Sequence, residues 1–111
     1  MLYSINDTML FIGGIINTPN IILSDKYKVG DDDLICKGVE ESKFYHVLYR
    51  TIYNLVVSGA EEINEIVVDN FLQHYPKQYA LCEQYDFRSF IPEIRKLASS
   101  KNIEYHYLTV R

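Results

Sequence analysis

Two apolar stripes flanking one glycine constrain this chain more than any other feature. Phe44, Leu48, Ile52 and Leu55 recur at i, i+4, i+8 and i+11, with Tyr45, Tyr49 and Val56 alongside. That spacing is the 3.6-residue period of an amphipathic helix. Ser42 can cap its start. Ser58-Gly59 is the chemistry of a helix end, because glycine takes up the left-handed conformation there without steric cost. Beyond the glycine, Glu61 or Glu62 opens a second helix, and Pro76 ends it. Ile63, Ile66, Val67 and Phe71 form its stripe, and Leu72 widens it. Two such faces joined by a short link must bury each other. The expected core is therefore Phe44, Leu48, Ile52, Leu55, Ile63, Ile66, Val67 and Phe71. Strand-like alternation is sustained nowhere, so the fold class is all-α.

The flanking segments extend the same pattern. Ser4 or Asn6 can cap a first helix, with Asp7 favourably placed in its first turn. Met9 to Ile16 is apolar nearly all round, which predicts a largely buried helix. Gly13 and Gly14 weaken it by about 1 kcal/mol each and mark a close approach of another helix. Pro19 can start a short helix through Leu23. Residues 24–41 are acidic turn chemistry around Leu34-Ile35-Cys36, compatible with a loop or with short helices. A short helix is expected over Gln78 to Tyr85. A longer one begins at Phe87 with Phe90, Ile94 and Leu97 on one face and Ile91 and Ala98 beside them. Ser99-Ser100-Lys101-Asn102 is a turn, and Ile103 to Arg111 has helical potential. The expectation is a single domain over residues 1–111, a compact bundle of about six or seven helices closing in a helical hairpin over residues 86–111.

Charge and motif content exclude several functions. The 111 residues carry a net charge of −4, and no Lys/Arg cluster exists, so tight nucleic-acid binding by this domain alone is not expected. The longest apolar run is far shorter than the ~20 residues of a membrane span. Met1-Leu2-Tyr3 lacks the basic flank of a secretory leader, which points to the cytoplasm. Cys36 and Cys82, without CxxC spacing, are expected as free thiols. No phosphate-binding glycine loop is present. His46, His74 and His106 are scattered without metal-ligand spacing, and Asp31-Asp32-Asp33 lacks the alternation of a calcium loop. No catalytic, cofactor or metal residue is assigned, and the chain is not expected to be an enzyme. Its ten tyrosines fit core edges, with contact patches as the alternative.

The motifs resemble the N-terminal domain of DnaB-type replicative DNA helicases, in a divergent form like those of phages and mobile elements. That family opens with a capped helix ending in an aliphatic-glycine pattern and then a proline, which here looks like Ile12-Gly13-Gly14-Ile15-Ile16 followed by Pro19-Asn20-Ile21-Ile22. Its acidic-x-Phe-Tyr segment looks like Glu41-Ser42-Lys43-Phe44-Tyr45. The following His-Arg-x-Ile-aromatic looks like Tyr49-Arg50-Thr51-Ile52-Tyr53. Gly59 and Ile63-Asn64 match the next glycine and Ile-Asp, and Asn102-Ile103-Glu104-Tyr105-His106-Tyr107 matches the start of the hairpin's second helix. Three departures stand out: the acidic segment before Phe44 is longer than usual, the helix after it is about one turn shorter, and Asn64 replaces Asp.

The resemblance implies a non-catalytic collar domain that supports hexamer formation and contacts primase and the helicase loader. It implies that ATP and magnesium belong to a C-terminal motor domain outside this chain. A free-standing phage or plasmid replication adaptor, or a helicase modulator with the same fold, is the alternative. Self-association is expected through the hairpin, on Phe90, Ile91, Ile94, Leu97, Tyr105, Tyr107 and Leu108. The result would be a dimer, or a hexamer in a full-length parent.

Overall fold

The computed structural model describes residues 5–24 and 38–97. These residues are helical and contain no strand. Five α-helices follow in order: α1 (Ile5–Asn17), α2 (Glu41–Val57), α3 (Glu65–Leu72), α4 (Pro76–Gln84) and α5 (Phe87–Leu97), with a 3-10 helix (Pro19–Leu23) after α1. The acidic stretch from Asp31 to Asp33 and the expected second arm of the hairpin lie outside the described residues.

Helix α1 is buried on nearly all sides, as its sequence predicts. Phe11, Ile12, Ile15 and Ile16 enter the core, and Gly13, Gly14 and Thr8 are buried with them. It packs against α2 and α5, and the Asn17 side-chain amide donates to the Arg95 carbonyl at 3.1 Å, tying the two helix ends together. Pro19 stands in the first turn of the 3-10 helix, where its missing N–H costs nothing.

Helix α2 is the central element. Phe44, Tyr45, Leu48, Tyr49, Ile52 and Val56 are buried, and Leu55 packs at their margin. Its first turn differs from the expectation at Ser42. The helix already begins at Glu41 with Glu40 in the cap position. Ser42 is buried, and its hydroxyl donates to the Val39 carbonyl at 2.6 Å. The other end follows the sequence closely. Gly59 has φ of 101°. Its N–H donates to the Val56 carbonyl at 3.0 Å, and the Ala60 N–H reaches back to the Leu55 carbonyl at 2.9 Å. This paired closure is the Schellman arrangement, which needs a residue tolerant of positive φ.

The start and register of α3 correct the sequence expectation. Neither Glu61 nor Glu62 opens it; both are exposed ahead of it. Asn64 is the cap, with extended backbone and Oδ1 accepting from the Ile66 and Val67 N–H groups at 3.0 and 2.9 Å. Ile63, just before the cap, and Val68, in the first turn beyond it, are both fully buried, the arrangement of a hydrophobic staple. The buried stripe of α3 is consequently Val68 and Leu72. Val67 and Phe71 are half-buried, and Ile66 is 64% exposed. Ile63 lies ahead of the helix and its cap, so a helical count that starts from it lands on the wrong face.

Pro76 begins α4 rather than merely ending α3, which stops at Leu72. On α5 the buried residues are Phe87, Ile91 and Ile94. Phe90 is half-buried, and its ring meets Phe44 edge-on at 5.3 Å. Phe44 also stacks on Tyr85 at 5.1 Å, so α2, α5 and the turn between α4 and α5 meet in one aromatic cluster. Pro92 stands inside α5, where its missing N–H leaves the Arg88 carbonyl without its helical donor.

Candidate functional site

The residues expected at a self-association surface divide sharply. Ile91 and Ile94 face the chain's own core, at 0% and 1% exposure. Phe90 is engaged with Phe44 and with Tyr45, 6.0 Å away. Leu97, at the end of α5, is 64% exposed. Phe90, Ile94 and Leu97 line a shallow groove of about 360 Å3 together with Met9, Tyr85, Asp86, Ser89 and Glu93. Tyr105, Tyr107 and Leu108 lie outside the described residues.

A charged knot ties α3, α4 and α5 together. The Arg88 guanidinium donates to Asp69 Oδ1 at 2.9 Å, to Glu83 Oε1 and to the Tyr79 hydroxyl oxygen. It also lies over the Tyr79 and Phe87 rings, 5.4 and 4.8 Å from their centroids. Asp69 accepts a further bond from the Gln73 amide at 2.9 Å. Burial raises the pKa of the Asp69 carboxyl. The hydrogen bonds from Gln73 and Tyr79, with the charge of Arg88, outweigh that and hold it below its ordinary value. Burial, with Glu83 and Asp69 as neighbours, pushes the Tyr79 hydroxyl up. Every group in this knot has a partner, so it fastens helices rather than presenting a reactive atom. The buried Cys82 thiol is pushed up to about 12 by desolvation, which keeps it protonated and unreactive.

A second groove, of about 350 Å3, runs along α2. His46, Val47, Arg50, Thr51 and Asn54 form one wall; Phe71, Leu72, Tyr75 and Gln78 form the other. Asp and Glu are absent from this lining. Arg50 makes no ion pair with a described residue; its guanidinium sits 5.9 Å from the Tyr53 ring centroid. Phe71 and Tyr75 face each other across 5.0 Å at a tilt of 31°. Thr51 is 3% exposed, and its hydroxyl has no hydrogen-bond partner among the described residues. The groove therefore offers one cation, several polar donors and an aromatic wall. In the sequence, Arg50 reads only as a letter of a motif. The signal that could have found it is that neither i±3 nor i±4 supplies an acidic partner.

Among the described residues, no group of three or more His, Cys, Asp or Glu side chains is placed to hold a metal ion, and no helix is long and apolar enough to cross a membrane.

Over 97 residues the chain is 32% identical to the SPbeta prophage-derived uncharacterized protein YorI of Bacillus subtilis (strain 168). That match takes in 86% of this chain and 18% of the relative, so the chain spans less than a fifth of the relative's length. No family model matches the chain. No solved structure matches it.

Proposed function

We propose that this chain is a non-catalytic assembly and protein-interaction domain, the collar of a replicative DNA helicase of phage type. It would act in the cytoplasm, in contact with primase or a helicase loader. The reading is carried by where the resembling residues sit. Phe44, Tyr45 and Ile52 are core residues of α2. Gly59 closes that helix, and Asn64 caps the next. Asparagine and aspartate cap helices in the same way, so Asn64 keeps the role that the family's Asp would have. The prophage relative supports the setting, because there the matching region is a minor part of a longer polypeptide. ATP, magnesium and strand contacts then belong to a motor domain outside this chain. On this reading the expected hairpin over residues 86–111, whose second arm lies outside the described residues, would bring the bundle to about six or seven helices and supply the self-association surface.

Two measurements test this. The reading frame encoding the chain should continue into a phosphate-binding Gly-Lys-Ser/Thr loop; a stop directly after codon 111 would favour a free-standing replication adaptor. Analytical ultracentrifugation from micromolar to millimolar protein should show a concentration-dependent dimer that Leu97→Asp weakens. Leu97 suits this test because it is exposed, whereas Asp in place of the buried Ile94 would unfold the domain. A strict monomer throughout would remove hairpin self-association.

A further inference from the structure

We propose that the α2 groove docks an acidic segment of a partner protein, seating a carboxylate on Arg50 and an adjacent apolar or aromatic side chain on Phe71 and Tyr75. The proposal rests on the interaction-domain part of the reading above and not on its helicase part.

Charge complementarity chooses the occupant. The chain is acidic overall, at net −4, yet this groove has no carboxylate in its lining. Its guanidinium is left without an acidic partner among the described residues. An unpaired Arg presents a planar fork matched to a carboxylate, and a charge-assisted bond of that kind is about twice as strong as a neutral one. Thr51 supplies the independent observation. A buried hydroxyl without a partner is costly, and it is rare in a finished interior. This one lines the groove, where an incoming carboxylate or peptide carbonyl can accept its proton. Asn54 and Gln78 add amide donors on opposite walls.

Size and charge count argue against the other occupants. From His46 to Asn54 is eight helical steps, about 12 Å at 1.5 Å each. That matches about three or four residues of extended peptide. A nucleic-acid strand brings a phosphate with every nucleotide and calls for a track of cations, whereas this wall offers a single guanidinium. The half-buried Phe71 and the exposed Tyr75 provide what a phosphate alone would leave unused, a surface for a side chain.

The probe is a fluorescein-labelled eight-residue peptide alternating aspartate with leucine and phenylalanine. It is titrated into the full chain and followed by anisotropy and by amide chemical shifts. Shifts should centre on residues 46–54 and 71–78. Arg50→Glu should weaken binding at least tenfold. Thr51→Val should weaken it severalfold without lowering stability, because the hydroxyl has no partner to lose. Leu97→Asp should leave binding unchanged, which separates failure of this site from failure of hairpin assembly. A lysine-for-aspartate peptide should not bind. Shifts centred elsewhere, equal binding of the basic peptide, or indifference to Arg50→Glu would overturn the proposal. So would binding of a thymidine oligonucleotide or ATP in the groove when the acidic peptide does not bind.

Discussion

A carboxamide oxygen within reach of two free amides settles where α3 begins. The first N–H groups of a helix have no intrahelical acceptor, and Asn64 Oδ1 serves two of them at 3.0 and 2.9 Å. Glu61 and Glu62 carry favourable charge for a helix start, but they lie too far upstream to reach those amides and remain exposed. Asn64→Ala should therefore cost about 0.5–2 kcal/mol, while Asn64→Asp should keep nearly full stability. Urea denaturation followed by circular dichroism reads both. Equal losses for the two variants would mean that the cap is not what holds this start. Gly59 acts at the opposite kind of boundary. Its φ of 101° is the backbone conformation that lets the Leu55 and Val56 carbonyls find donors.

At the level of elements, the register of α3 separates two cores that read alike in sequence. In one, Ile66 is a core residue; in the structure Val68 is, and Ile66 faces outward at 64% exposure. Ile66→Ala should then change stability by no more than about 0.5 kcal/mol. Val68→Ala should cost about 1–3 kcal/mol, the loss of two buried methyl groups plus the cavity left behind. Thermal melts of the two variants decide between the registers, and a larger loss for Ile66→Ala would restore the first. The contrast also shows what a sequence can carry. Helix α2 was legible along its core face and at its end, though not at its Ser42 start, because Phe44, Leu48 and Ile52 repeat within one uninterrupted helix that Gly59 ends. Helix α1 was legible because Met9 to Ile16 is apolar nearly all round, which leaves little room to assign a face wrongly. The stripe of α3 was not, since Ile63 is apolar and buried yet stands outside the helix, and nothing in its residue type marks that. The α2 groove was hidden for another reason. Its walls come from residues about twenty positions apart; the sequence around Arg50 shows only that its own helix offers no acidic partner, and the carboxylate-free lining of the whole groove emerges when the helices pack.

For the molecule as a whole, α3, α4 and α5 are short and are fastened at one point by Arg88. Its guanidinium reaches Asp69 on α3 and both Tyr79 and Glu83 on α4 while belonging to α5. Such a knot is partly open to water, which screens it, so its worth is better read from its pH dependence than from a count of its bonds. The hydrogen bonds and the Arg88 charge outweigh desolvation and hold the Asp69 carboxyl below its ordinary value of 3.8. The folded chain consequently binds fewer protons at this site than the unfolded chain does between those two values. The stabilisation from Asp69 is fully present above 3.8 and is lost as the pH falls through the lower, folded value. Other carboxylates titrate over the same range, so the informative quantity is a difference. Asp69→Asn keeps the shape and removes the charge. The gap in urea midpoint between the native chain and this variant should be widest near about pH 6 and close progressively below about pH 4. A gap that stays constant down to about pH 3 would show that the ionised carboxylate contributes nothing at the junction of the three helices.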